Sequence, residues 1–334
     1  MDTLPTLLTQ PLLTIAIPTY NRSKYLSLLL EGIFDQILHE DRVELIVSDN
    51  ASTDETAKVV DELKLLGLKL QYLKNECNLG ADRNILQCYE KAQGKYVWIF
   101  GDDDLILPGG ISTILKYISA GEYDLLYVSS CGFQNNNYPV AAISRGTIEI
   151  TNVEEYVRRV HVFLTFISGN IVNKNRVSKA RPAKFSSLIG TSLVQLSWIY
   201  TAIEIHQRSL FIRDVIVATR TNNTGGYDLF VVFGPRFKAI TEAWLNSERL
   251  RRLILNGTLQ YFFPGFLLAS KLKDHVFSRK DPDKVLRETF HSNYRYWFFD
   301  MPIAILPRGC DRAWVALVRA VNWLDMKCGS PIMR

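Results

Sequence analysis

Short runs of apolar, often β-branched residues recur along the first half of the chain. They are Leu13–Ile17, Val43–Val47, Leu68–Leu73, Tyr96–Phe100 and Asp124–Val128, with starts 25–30 residues apart. Runs this short, bounded by polar turns, read as buried strands. Between them the apolar positions switch to helical spacing. Tyr25, Leu26, Leu29, Leu30 and Ile33 share one face of a helix that Ser23 is placed to cap. A second helix follows Thr53 and stops at Gly67, a third spans Leu79–Gln93 before Gly94, and a fourth runs from about Gly109 to Ser119. Alternating strands and helices predict βαβ units and a mostly parallel sheet. Right-handed crossovers then bring the loops after the strands to one sheet edge, where ligands bind in such folds.

Beyond residue 150 the rhythm fades. Phe163–Val172 reads as a strand pair or a helix–strand element, Leu193–Ile205 as a helix and Phe211–Thr219 as a strand. Arg220–Asp228 is a polar loop, and helical patterns dominate from Phe237. The expected division is an α/β unit over 1–235 and a mainly helical unit over 236–334.

The polar residues concentrate in the predicted loops. Pro18-Thr19-Tyr20-Asn21-Arg22 follows the first strand and Ser48-Asp49-Asn50-Ala51-Ser52-Thr53-Asp54 the second. Gly101-Asp102-Asp103-Asp104 follows the fourth, and Arg83-Asn84 opens the third helix. Three consecutive carboxylates raise one another's pKa unless a cation neutralises them. Oxygen ligands without nearby Cys or His suit Mn2+ or Mg2+; a solvated acidic turn is the plainer alternative. Asp49 sits one step too early to cap the next helix and suits a nucleobase or ribose. Arg83 suits a phosphate or base, or equally a surface ion pair. Tyr20 either stacks on a base or is a half-buried loop aromatic.

Composition narrows the classes. The 334 residues are 47% hydrophobic and 22% charged, which excludes a disordered chain. The net charge of +5 is too mild to point to nucleic acid. It is unevenly spread: residues 241–334 hold 15 basic and 9 acidic residues and four of the six Trp. Five Cys without a C-x-x-C and scattered His argue against a disulfide framework or a zinc site. The N-terminus has no basic region before its apolar run, so no secretory signal is expected. The longest uncharged run, Leu253–Ser270, carries Asn256, Gln260 and Pro264 and is expected not to span a membrane. No Walker lysine loop, dinucleotide fingerprint or nucleophile elbow is present.

The ordered motifs P-T-Y-N-R, V-S-D-N-A-S-T-D-E-T, N-L-G-x-x-R-N and W-I-F-G-D-D-D-x-x-L-P resemble the nucleotide-sugar domain of family 2 glycosyltransferases. The resemblance covers residues 12 to about 130. It implies a GT-A, Rossmann-like fold, with Pro18, Tyr20, Asp49 and Arg83 lining the nucleotide and Arg22 in the same loop. It also implies that Asp102 and Asp103 fill the D-x-D role, with Asp103 closest to the divalent metal and Asp104 a supporting acid. Many members have Asp at the position of Gly101, so the metal-binding carboxylate is displaced here. A looser resemblance to abequosyltransferases and related O-antigen side-branch enzymes rests on Ile167–Arg176, Ile189–Ser192 and Arg220–Asn223. It implies a deoxyhexose or hexose donor, a polyprenyl-diphosphate-linked oligosaccharide acceptor and a place on the cytoplasmic face of the membrane.

An inverting transfer needs a base near the acceptor hydroxyl. Many members supply a Glu-Asp pair about 90 residues after the D-x-D; here that stretch reads Gly190-Thr191-Ser192. Asp228 and Glu204 are alternative acids, and a retaining transfer needs no separate base. A nucleotidyltransferase would carry a Gly-rich loop with Lys or Arg where PTYNR stands. The missing acid pair leaves a non-catalytic nucleotide-sugar binder as the other alternative. In Arg312–Met326, Trp314, Leu317, Val318, Val321 and Leu324 are expected on one helix face, opposite Arg312, Arg319 and Asn322. With the surrounding basic and aromatic residues, this reads as a membrane-surface element or as core packing.

Overall fold

The computed structural model describes residues 10–134, 145–180, 184–221, 226–271 and 280–328, with side chains through Leu324. Asn222, Asn223 and the side chain of Met326, named above, lie outside what is described.

Among the described residues nine strands form one sheet: β1 Leu13–Thr19, β2 Val43–Asp49, β3 Gln71–Lys74, β4 Tyr96–Ile99, β5 Leu105–Ile106, β6 Leu125–Phe133, β7 Thr147–Ile150, β8 Asn170–Asn173 and β9 Ser209–Arg220. The main order is β3-β2-β1-β4-β8-β6-β9-β5, and β7 also pairs with β9. β3, β2, β1 and β4 pair in parallel, as the βαβ pattern predicts. β8 enters antiparallel between β4 and β6, and β6 and β9 run parallel beside it. Helices α1 Ser23–Ile37, α2 Thr56–Leu65, α3 Ala81–Lys91 and α4 Gly110–Ala120 connect the early strands.

The strands explain the two cores. Tyr96, Trp98 and Phe100 pack with α1, α2 and α4 on one face, whereas Val97 and Ile99 face α3 and the later helices. This is the period-two alternation of a strand buried on both sides. On the second face Tyr89 of α3 stacks on Trp198 at 4.5 Å. Ile254, Phe263, Leu286 and Tyr296 belong to the same core, so the described helices beyond residue 236 share a core with the sheet. The N-terminal caps differ from the expected ones. Neither Ser23 nor Thr53 caps with its side chain. Asp54 does both jobs, accepting from the Ser23 and Thr56 amides, because the two loops lie side by side.

Three π-helical turns, Val232–Arg236, Thr258–Phe262 and Tyr296–Asp300, mark the helical region. Pro235 lies inside the first; Pro264 and Pro302 follow the other two. Proline lacks an N–H and clashes with the carbonyl four residues earlier, and a π-bulge absorbs the clash. The Gln260 and Phe298 carbonyls, each four residues before one of those prolines, accept from Asn322 Nδ2 and Trp314 Nε1, each at 3.1 Å. Both donors stand on the helix Cys310–Cys328. This corrects the expected face of that helix: Asn322 turns inward with buried Val315 and Val318, while Leu317 and Leu324 are exposed. The polar bonds to displaced carbonyls override simple amphipathic spacing. Among the described residues no helix is long and apolar enough to cross a membrane.

Candidate functional site

The loops at the C-terminal edge of β1–β4 are locked together by side chains. Asn21, in the left-handed region at φ 53°, donates its amide to Ser52 Oγ and accepts from the Thr53 amide at 2.8 Å. Asn50 accepts from the Leu79 amide and donates to Asn78, tying the β2 loop to the start of α3. Thr19 donates to Asp102 at 2.8 Å, and Arg22 Nη1 donates to both Asp102 and Asp103 at 3.0 Å. The four polar clusters of the sequence therefore meet.

The three aspartates differ in setting. Asp102 and Asp104 are buried, while Asp103 is half-buried and the most open of the three. Burial, opposed by Arg22 and reinforced by Asp103, pushes Asp102 up to about 6. Burial and the Asp103 charge push Asp104 up to about 7. Asp104 is held by Ser168 Oγ at 2.6 Å and by the Arg220 amide at 3.2 Å. Ser168 Oγ also accepts from the Gly101 amide at 3.0 Å. A Cβ on Gly101 would stand 3.3 Å from Asp103 Oδ1 and from Ser168 Oγ. A carboxylate there would enter the same cluster, which gives the Gly101 departure a structural sense. Carboxylates crowded enough to raise their own pKa are short of positive charge. Hard oxygen donors with one open member fit a divalent cation that takes one or two carboxylates plus phosphate. Among the described residues no group of three His, Cys, Asp or Glu is placed to hold a metal by itself, so this fit requires substrate oxygens.

The remaining sequence candidates separate. Pro18 and Tyr20 lie at the same edge, Tyr20 exposed. Asp49 is fully buried, and it does act as a local cap: its carboxylate accepts from the Ser52 amide at 2.8 Å and from the Tyr72 hydroxyl at 2.6 Å. The one-step offset seen in the sequence is absorbed by Ala51 at φ 65°. Arg83 is part-exposed and pairs loosely with Glu90 at 3.8 Å. Asp228 caps the turn Leu229–Val231 and accepts from the Lys280 amide. Glu204 accepts from the amide and side chain of Asn246. Both acids thus tie neighbouring segments together.

Three residues had no site role in the sequence reading. Ser168 was visible only as part of ISGN. The Arg220 guanidinium lies 4.7 Å from the rings of both Tyr25 and Phe133. Asp82, buried on α3, accepts from the Gly190 and Ser192 amides at 2.7 and 2.8 Å. It places a carboxylate at the loop where the acid pair is missing. Its signal was the acid in N-L-G-A-D-R-N, which the sequence alone could not pair with a loop 108 residues away.

Comparison with known proteins meets this geometry. The profile of the family described as Glycosyl transferase family 2 matches residues 14–181, half of the chain. The chain belongs to glycosyl transferase family 2. It is similar to abequosyltransferase RfbV of Salmonella typhimurium, 38% identical over 110 residues, 33% of each chain. It is also similar to the Campylobacter jejuni GalNAc(5)-diNAcBac-PP-undecaprenol β-1,3-glucosyltransferase, 31% identical over 112 residues, 33% of this chain and 36% of that one. The matches therefore span about a third of these curated relatives. The crystal structure of Staphylococcus aureus TarS 1–349 superposes with a TM-score of 0.61 at 18% identity, covering 94% of this chain and 92% of that one. That likeness establishes the GT-A-like fold over most of the chain.

Proposed function

We propose that this family 2 glycosyltransferase moves a sugar from a nucleotide-diphosphate sugar to a polyprenyl-diphosphate-linked oligosaccharide in surface-polysaccharide synthesis. The observation that carries the reading is the meeting of Arg22, Thr19 and three aspartates at the ends of β1 and β4. The undecaprenyl-diphosphate-linked acceptor of the Campylobacter relative supports the acceptor class. Pro18, Tyr20, Arg22, Asp49 and Arg83 would line the nucleotide. Asp103, with Asp102, would hold Mn2+ or Mg2+, which supplies counter-charge to the departing diphosphate when bound. Arg22 keeps Asp102 and Asp103 oriented, and Ser168 keeps Asp104 away from solvent. Asp104, near its pKa at neutral pH, limits the negative charge that the loop carries.

In this reading residues 1–235 bind the donor and 236–334 serve the acceptor and the inner face of the cell membrane. Among the described residues, seven of the fifteen exposed large hydrophobic side chains, including Trp297, Ile305 and Trp323, fall between 294 and 324. Exposed Arg308, Arg312 and Arg319 accompany them. Such a surface suits an anionic bilayer. The test incubates the chain with a panel of nucleotide sugars, Mn2+ or Mg2+ and a lipid-linked acceptor extract. Release of nucleoside diphosphate is expected with one donor, and no release from any donor overturns the transfer reading. Flotation with phosphatidylglycerol vesicles tests the surface. Serine at 297, 305 and 323 together is expected to abolish binding, and unchanged binding removes the membrane role.

A further inference from the structure

A cavity of about 330 Å3 opens between the helices Phe263–Ser270 and Cys310–Cys328, far along the chain from the aspartate loop. Gly265, Leu268 and Ala269 give it an apolar side, and Lys271, Arg308 and Arg312 bring three cations to it. Asp311 is the one acid among its described wall residues.

Asp311 does not neutralise the arginines. It is buried, and its carboxylate is already supplied with donors: Lys271 Nζ at 3.2 Å and the Gly309 and Arg312 amides at 3.0 and 2.7 Å. Lys271 Nζ also donates to the Leu306 carbonyl at 2.8 Å. Asp311 thus uses the amides at the helix start, and the open donors of the cavity are side chains. Arg308 Nη2 donates to the Lys271 carbonyl at 3.1 Å, which ties its loop to the end of the first helix. Among the described residues neither Arg308 nor Arg312 pairs with an acid, and both are exposed. A guanidinium fork matches the oxygens of a phosphate. The apolar side selects a phosphate that carries carbon, because a free phosphate would leave that side wet. Ile305, 63% exposed, directly precedes Leu306 and so stands beside the group that holds Lys271.

We propose that this cavity seats the phosphate of an anionic membrane lipid, with Arg308 and Arg312 on its oxygens and the neighbouring glycerol carbons over Gly265, Leu268 and Ala269. The assignment rests on the membrane-surface reading and adds a fixed seat to it. A diffuse basic surface treats its arginines alike, whereas a seat does not. Arg319 supplies the comparison. It is exposed, lies about two turns beyond Arg312 on the same helix, and is not a wall residue of the cavity.

Flotation of the full chain with phosphatidylcholine vesicles containing phosphatidylglycerol tests this. Arg319→Gln removes one diffuse charge and is expected to weaken binding about fivefold. Arg312→Gln removes the same charge together with a charge-assisted bond, and is expected to weaken it about fiftyfold. Gly265→Leu keeps every charge, and a Cβ there meets no atom within 4 Å, so the side chain fills the cavity without disturbing the helix. It is expected to weaken binding about tenfold, where a diffuse surface would bind as well or better. Equal losses in Arg312→Gln and Arg319→Gln, or undiminished binding in Gly265→Leu, overturns the seat. Exchanging chloride for inorganic phosphate at equal ionic strength reads the source. Unchanged flotation is expected, and release of the chain by phosphate would assign the cavity to free phosphate and overturn the lipid. Absence of flotation in wild type overturns the membrane reading on which the seat rests; flotation that is indifferent to all three substitutions overturns the seat alone.

Discussion

Asp104 and Asp300 are both buried carboxylic acids, one at the sheet edge and one in the helical region. Asp104 has Ser168 and the Arg220 amide as hydrogen-bond donors, and burial with the Asp103 charge lifts it to about 7. Asp300 is fully buried, both oxygens are without partners among the described residues, and burial raises it well above its ordinary range. An acid with donors around it can become a carboxylate when a cation or substrate arrives. Burial of an acid without donors favours its protonated form. The contrast separates polarity kept for chemistry from polarity the fold merely tolerates.

The sharpest way to break this contrast is at the aspartate loop itself. Asp103→Ala is expected to lower nucleoside diphosphate release about a thousandfold, since metal counter-charge is worth several kcal/mol and about 1.4 kcal/mol is tenfold. Its melting temperature should change little, because Asp103 is the most open of the three acids. Full activity in this variant would place the metal elsewhere.

Asp300→Asn tests the other side. A folded-state pKa above the unfolded value means that stability is fully present below about pH 4 and falls as pH rises toward the folded pKa. The asparagine variant lacks that slope. The unfolding free energy of Asp300→Asn should therefore gain on wild type as pH rises from about 4 toward the folded pKa, by at most about 1.4 kcal/mol per pH unit. Buried His161, pushed down to about 3 by burial, gives the opposite slope: its contribution is lost as pH falls from 6.5 toward 3. Chemical denaturation from pH 4 to 8 reads the difference, and parallel curves for wild type and variant would mean that Asp300 is ionised and partnered.

The same contrast explains what the sequence made visible. Strands β1–β4 and helices α1–α4 were legible because each is local, with apolar period two or 3.6 and a turn at its end. The aspartate loop was legible because a strand end and three like charges are adjacent in the chain. The pairings of Ser168 with Asp104 and of Asp82 with the Gly190–Ser192 loop were not, because they join residues 64 to 110 positions apart through hydroxyl and backbone groups that carry no pattern. The antiparallel entry of β8 was hidden similarly: Asn170–Asn173 is four residues long and follows a 3-10 turn. The inward turn of Asn322 depended on the Gln260 carbonyl, 62 residues upstream.

That last point yields the smallest expected effect. Asn322 and Gln260 bond reciprocally: Asn322 Nδ2 donates to the Gln260 carbonyl, and Gln260 Nε2 donates to Asn322 Oδ1 at 2.9 Å. Gln260 is buried. Asn322→Ala removes one partner each from the Gln260 carbonyl and Gln260 Nε2, a loss of about 1–3 kcal/mol. If Pro264 is what displaces the Gln260 carbonyl, Pro264→Ala returns an N–H four residues on and gives that carbonyl a helical donor. Asn322→Ala should then cost measurably less in the Pro264→Ala background than in wild type, a coupling readable by a double-mutant cycle in urea. Equal costs in the two backgrounds would mean that the π-turn holds its shape without the proline, and that Asn322 answers to the bulge and not to the missing amide.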